Sequence, residues 1–91
     1  MSKIVHRYEL KPLYNTSLIM PEDSEILCIK GHKEKIFLFA LVDESNPPEK
    51  RNFRLVFKDW ELDDFFRYSH IDSIIYNDCD LHIFELFRFE D

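Results

Sequence analysis

The longest unbroken apolar run in the chain is Ile36-Phe37-Leu38-Phe39-Ala40-Leu41-Val42, closed by Lys35 and Asp43. Branched and aromatic residues between polar ends favour a strand over a piece of buried helix. Side chains alternate along a strand, so Ile36, Leu38, Ala40 and Val42 share one face and Phe37, Phe39 and Leu41 the other. Both faces are apolar, which predicts a central strand covered on both sides. A bilayer-spanning helix needs about 20 such residues, so this run is too short to be one.

The flanking pattern predicts six further strands. Residues 3–10 alternate, with Ile4, His6, Tyr8 and Leu10 on one face. Lys11-Pro12 ends that strand. Residues 15–20 and 26–29 form two short strands separated by Pro21 and the acidic turn Glu22-Asp23-Ser24-Glu25. Gly31-His32-Lys33-Glu34 is the expected hairpin turn, because it holds the only glycine. After the central strand, Glu44 to Arg51 reads as a connection, with Pro47-Pro48 forbidding a central strand. Phe53, Leu55 and Phe57 then alternate with polar or smaller residues, predicting a strand antiparallel to Ile36–Val42 through a long hairpin. Residues 59–68 predict one or two helical turns, with Asp59 as N-cap and Leu62, Phe65 and Phe66 buried; the alternative is an irregular loop pinned by Trp60. Residues 71–76 and 81–89 complete the set, joined by the polar turn Asn77-Asp78-Cys79-Asp80. In the last strand Leu81, Ile83, Phe87 and Phe89 face one way, and His82, Phe84, Leu86 and Arg88 the other. The expected fold is mainly β: a small antiparallel barrel or sandwich in a single domain over residues 1–91, with at most one short helix near 59–68.

Composition narrows the function. A formal charge of −6 argues against a general binder of phosphate backbones, so no direct nucleic-acid binding is expected. It suits solubility, or a partner with a basic surface. Residues 2–4 open no long apolar stretch, so no signal peptide is expected and the chain reads as cytoplasmic, with no membrane association. Cys28 and Cys79 are then expected to be free, buried thiols.

Candidate chemistry is sparse. Cys28, His32, Cys79 and His82 invite a zinc reading, but on an extended strand Cys28 and His32 lie about 13 Å apart. Two unrelated core thiols is the plainer account, and no metal or cofactor is expected. His82 and Glu85, three apart, fall on opposite faces of a regular strand. His70 and Asp72, two apart, share a face, though without a partnered nucleophile. No nucleophile elbow, P-loop or zinc-protease motif is present, so the chain is not expected to be an enzyme. The acids Glu22, Asp23, Glu25, Asp59, Glu61, Asp63, Asp64, Asp78 and Asp80 fall in predicted loops, and Trp60, Phe65, Phe66 and Tyr68 lie among them. Asp59, Trp60, Glu61, Asp63, Asp64, Phe66 and Tyr68 therefore form the expected partner-binding site. The plainer alternatives are solvated loops, and aromatics that plug one end of a barrel.

Several landmarks carry a family resemblance: Tyr8-Glu9-Leu10, Met20-Pro21, Ile26-Leu27-Cys28, Phe39-Ala40-Leu41-Val42-Asp43, Phe53-Arg54-Leu55-Val56 and His82-Ile83-Phe84-Glu85. The chain resembles a family of small proteins encoded by phages and their bacterial hosts, catalogued as a domain of unknown function. Members usually carry a Gly-containing turn with a His where this chain reads Lys58-Asp59-Trp60-Glu61. The resemblance implies a phage or prophage origin and a small β-rich fold, and no reaction. The expected function is that of an acidic phage-type protein that binds and modulates a host protein, such as a defence or nucleic-acid-handling factor. The alternative is a non-catalytic small-ligand or nucleotide-binding module. An exposed strand edge would also allow a homodimer.

Overall fold

A computed structural model describes residues 2–87. Its seven strands are β1 (Ile4–Leu10), β2 (Asn15–Pro21), β3 (Glu25–His32), β4 (Lys35–Val42), β5 (Pro48–Phe57), β6 (Tyr68–Tyr76) and β7 (Cys79–Leu86). They form two antiparallel sheets, ordered β1-β4-β3 and β2-β5-β7-β6. Among the described residues there is no closed barrel and no helix long and apolar enough to cross a membrane. Arg88 and Phe89, expected in the last strand, lie outside the described residues.

The core lies between the sheets. Ile36, Leu38, Ala40 and Val42 of β4 face Phe53 and Leu55 of β5 and Leu81 and Ile83 of β7, with Leu10, Met20 and Ile29 closing the sides. This is the face that the alternation predicted. The other face of β4 differs from expectation. Phe37, Phe39 and Leu41 are only half-buried, with the Arg7 guanidinium of β1 lying over the Phe37 ring at 4.5 Å. The strand is central within its sheet but outermost in the sandwich.

Pairing also departs from the sequence reading. β5 does not pair with β4; it lies between β2 and β7 in the opposite sheet. Its apolar side chains meet those of β4 across the core rather than along a ladder. The connection between them crosses from sheet to sheet. Asp43 Oδ1 accepts from Ser45 N (3.0 Å) and Ser45 Oγ (2.6 Å), which holds the Asp43 carboxyl below the usual range. β5 begins at Pro48, earlier than two prolines suggested. Over Pro48–Asn52 it pairs with β2 alone, so the missing proline donor falls on an unpaired side.

Two tight turns show where the left-handed backbone sits. Lys33 and Glu34 have φ of 49° and 66°, and Asn77 and Asp78 have φ of 49° and 62°. Both pairs match the two-residue hairpin turn whose central residues need positive φ. The glycine is therefore not in the turn. Gly31 sits within β3, where a Cβ would approach the Ile75 carbonyl oxygen to 3.2 Å. What it permits is the close approach of β3 to β6, the edge strands of the two sheets.

Asp72 joins these edges. The β6–β7 register shifts between His70 and Asp72, so Ile71 is an extra residue and Asp72 turns inward. Asp72 Oδ2 accepts from Ile29 N on the free edge of β3 (2.8 Å), and Oδ1 accepts from Ser73 N (2.8 Å). Asp72→Ala should leave the Ile29 amide without a partner and cost about 1–3 kcal/mol. Denaturation by urea, with faster hydrogen exchange at Ile29, checks this. An unchanged exchange rate would contradict the seam.

Candidate functional site

The segment between β5 and β6 is the most distinctive surface of the molecule. It forms no helix over 59–68. A single 3-10 turn spans Phe65–Arg67, preceded by Asp64 in the left-handed region (φ 54°) with no side-chain cap. Asp59 is also left-handed (φ 71°), so it cannot serve as the expected N-cap. The backbone closes through Trp60 N to Phe57 O (3.0 Å) and Arg67 N to Asp64 O (2.8 Å). Phe65 and Phe66 are not buried: they are 70% and 69% exposed, and Trp60 is 55% exposed. Their rings pack locally, Phe65 edge-on to Phe66 and Trp60 edge-on to Phe57. Trp60 also lies beside Tyr14, and a cavity of ≈ 40 Å³ separates it from Pro12, Leu13, Leu55 and Leu81. It therefore covers one end of the sandwich while exposing much of its own ring.

Arg54 fastens this segment to the sheet. Its guanidinium lies between the rings of Tyr14 (4.6 Å) and Tyr68 (4.5 Å) and donates to Asn15 Oδ1 (3.0 Å) and the Asp63 carbonyl (3.1 Å). Tyr14 Oη donates to the Glu61 carbonyl at 3.5 Å. Of the expected site residues, Asp59, Trp60, Glu61, Asp63, Asp64 and Phe66 lie exposed along the segment, together with Phe65. Tyr68 does not join them. It is half-buried at the start of β6, under Arg54. Arg54 was not singled out in the sequence, where its strand position looked like ordinary alternation.

The outer face of the four-stranded sheet holds a second cluster. Ser73 Oγ lies 2.8 Å from His70 Nε2 and 2.7 Å from His82 Nδ1. The extra residue at Ile71 makes this arrangement. In a regular strand His70 and Asp72 would share a face; here they part, and His70 joins Ser73 instead. Phe84 lies edge-on to His70 at 5.3 Å. The three polar groups form a hydrogen-bonded chain on an open sheet. Glu85 turns to the opposite side, as spacing predicted, and bonds to Arg51 in the interior. Among the described residues no group of three or more His, Cys, Asp or Glu is placed to hold a metal ion. Cys28 and Cys79 are both free; Cys28 is half-buried and Cys79 exposed, because Cys79 follows the Asn77-Asp78 turn directly.

An open cleft of ≈ 570 Å³ lies between Trp60 and the β6–β7 turn, lined by Phe57, Lys58, Asp59, Trp60, Asp78, Cys79 and Asp80. Three carboxylates against one lysine make it unfavourable for phosphate groups. The model of a family described as Domain of unknown function (DUF7352) matches residues 1–90. No curated protein and no solved structure matches the chain.

Proposed function

We propose, for a chain that belongs to the DUF7352 family, a function in binding: it docks on another protein through the segment from Asp59 to Phe66. The observation that supports this is the exposure of Trp60, Phe65 and Phe66 on one short segment tied down by Arg54. Large exposed rings among fixed backbone are what interface anchors require, since little entropy is lost when they insert. Asp59, Glu61, Asp63 and Asp64 surround these rings with negative charge. The fitting partner surface has apolar pockets rimmed by Lys or Arg. In a phage or prophage setting that partner is a host protein, bound and modulated inside the host cell. A nucleotide ligand is the weaker reading, because the cleft beside Trp60 presents three acids.

The test is a pull-down of the tagged protein from host lysate, read by mass spectrometry. One dominant partner should be captured by the wild type. It should be lost with Phe65→Ala/Phe66→Ala and with Asp63→Lys/Asp64→Lys, while far-UV circular dichroism stays unchanged. Each truncated anchor should weaken binding by about 2 kcal/mol. Equal capture by wild type and both variants would remove this segment as the docking site.

Arg54→Ala separates positioning from contact. It should loosen the Asp63 carbonyl and weaken the same interaction, although Arg54 itself lies half-buried away from the tip. Titration calorimetry with the captured partner checks this. An Arg54→Ala variant that binds as tightly as the wild type would show that the segment needs no such anchor.

A further inference from the structure

On the outer face of the four-stranded sheet two imidazoles from neighbouring strands close on one point. His82 of β7 stands directly opposite Ser73 of β6, and His70 stands opposite Phe84. A regular strand would put residues 70 and 73 on opposite faces. The extra residue at Ile71 returns them to one face. The shared point is the Ser73 hydroxyl, 2.8 Å from His70 Nε2 and 2.7 Å from His82 Nδ1. The ring centroids lie 6.4 Å apart, with the rings tilted by 51°.

A hydroxyl carries a single proton. To use it, Ser73 donates to one ring nitrogen, which must be bare, and accepts from the N–H of the other. One lone pair is therefore already aimed at the shared point. The second becomes available when the other ring carries its proton on its far nitrogen. Transition ions bind imidazole nitrogen at about 2.0–2.1 Å. With the hydroxyl turned aside, each nitrogen needs to move only about 0.7 Å closer to that point. His70 and Ser73 are exposed and His82 is half-buried, so small side-chain rotations on an open sheet supply the movement.

The surroundings suit a cation. Phe84 lies edge-on to His70 at 5.3 Å and limits its ring on one side, and Val56 stands opposite His82 on β5. Asp80 lies two residues before His82 on the same side of β7. Arg54, opposite Phe84, has its guanidinium held between Tyr14 and Tyr68 and bonded to Asn15 and the Asp63 carbonyl. The chain as a whole carries a charge of −6.

We propose that His70 Nε2 and His82 Nδ1 bind a divalent transition ion of the zinc, nickel and copper class. Imidazole suits these ions, whereas Mg²⁺ and Ca²⁺ take oxygen ligands. The other coordination positions face solvent and hold water. Two protein ligands make the site weaker than a closed set of four. It is not the set of Cys28, His32, Cys79 and His82 suggested by the sequence. Cys79, three residues before His82, falls on the other side of the pleat, and His70 takes its place.

Zinc chloride titrated into the whole untagged protein tests this, followed by calorimetry and by NMR of the backbone amides. Binding should saturate at one Zn²⁺ per chain, with shifts concentrated at His70, Ser73 and His82. His70→Ala and His82→Ala should each weaken binding at least about tenfold, because losing a ligand costs no less than losing an outer-shell partner. Ser73→Ala should bind zinc at least as tightly as the wild type, since it removes the hydroxyl from the shared point. His6→Ala/His32→Ala, which alters the other two histidines, should match the wild type. Circular dichroism shows that each variant keeps the fold. An absence of saturable zinc binding would overturn the proposal, as would shifts centred on Asp78 and Cys79. Loss in Ser73→Ala as large as in the histidine variants would overturn the two-imidazole assignment, because the hydroxyl would then be a ligand.

Discussion

Arg51→Ala should lower the unfolding free energy by about 3–5 kcal/mol. Arg51 lies in the interior, its side chain 7% exposed, and faces Glu85 of β7. Nη2 donates to Glu85 Oε1 at 2.7 Å, Nε donates to Oε2, and Nη1 donates to the Ser24 carbonyl at 2.6 Å. The paired geometry satisfies both carboxylate oxygens and ties the β2–β3 connection to the four-stranded sheet. Removing the guanidinium leaves a carboxylate enclosed without its cation, and a carbonyl without its donor. A domain of this size has only about 5–15 kcal/mol of stability, so the loss is a large share of the whole. Urea unfolding followed by far-UV circular dichroism measures it, with the midpoint falling and the slope unchanged. Arg51→Met/Glu85→Leu should recover most of the loss, because it removes both charges and keeps the volume. A double variant as unstable as Arg51→Ala would mean that the packing of this side chain matters more than its charge.

Leu38→Ala should cost about 2–5 kcal/mol, and Leu41→Ala, three residues along the same strand, less than about 1.5 kcal/mol. Leu38 is fully enclosed between the sheets, in contact with the shared core. Truncation there leaves a cavity that neighbours in two sheets cannot collapse to fill. Leu41 lies on the outer face and keeps some solvent contact, so its loss opens no enclosed void. The comparison is made by urea unfolding followed by far-UV circular dichroism. Equal costs would mean that both faces of β4 are enclosed.

Much of this architecture was legible in the sequence, and the limits are instructive. Seven strands were expected and seven are present among the described residues. The inner face of β4 and the common face of Ile4, His6, Tyr8 and Leu10 follow from alternation alone. Asn77-Asp78 was recognisable as a turn because these residues tolerate positive φ. The same logic misled at Gly31, where the backbone is not left-handed and the missing side chain instead admits a neighbouring strand. Phe65 and Phe66 misled in a related way. Their spacing suits a buried helical stripe, yet nothing in the fold comes over them, and they remain exposed. Of the candidate site, the acids and the aromatics could be read from the chain, whereas the Arg54 clamp and the Ser73 bridge between His70 and His82 could not.

The physical division is between local and distant constraints. Alternation of apolar and polar residues writes strand positions and core faces into the sequence, because each residue's burial depends on its own side of the pleat. Turn conformation is likewise set by a few adjacent residues. Pairing is different. Whether β5 lies beside β4 or across from it depends on surfaces tens of residues away, and both arrangements satisfy the same alternation. The extra residue at Ile71 exists only against β7, and it alone decides that Asp72 reaches the Ile29 amide while His70 reaches Ser73. Arg51 and Glu85 are 34 residues apart and looked like ordinary surface charges until two strands of one sheet turned them inward together. The sequence by itself determined the strands and the core they bury; the tertiary structure decided which polar groups meet, because a hydrogen bond needs both partners in place and only the assembled sheets supply the second.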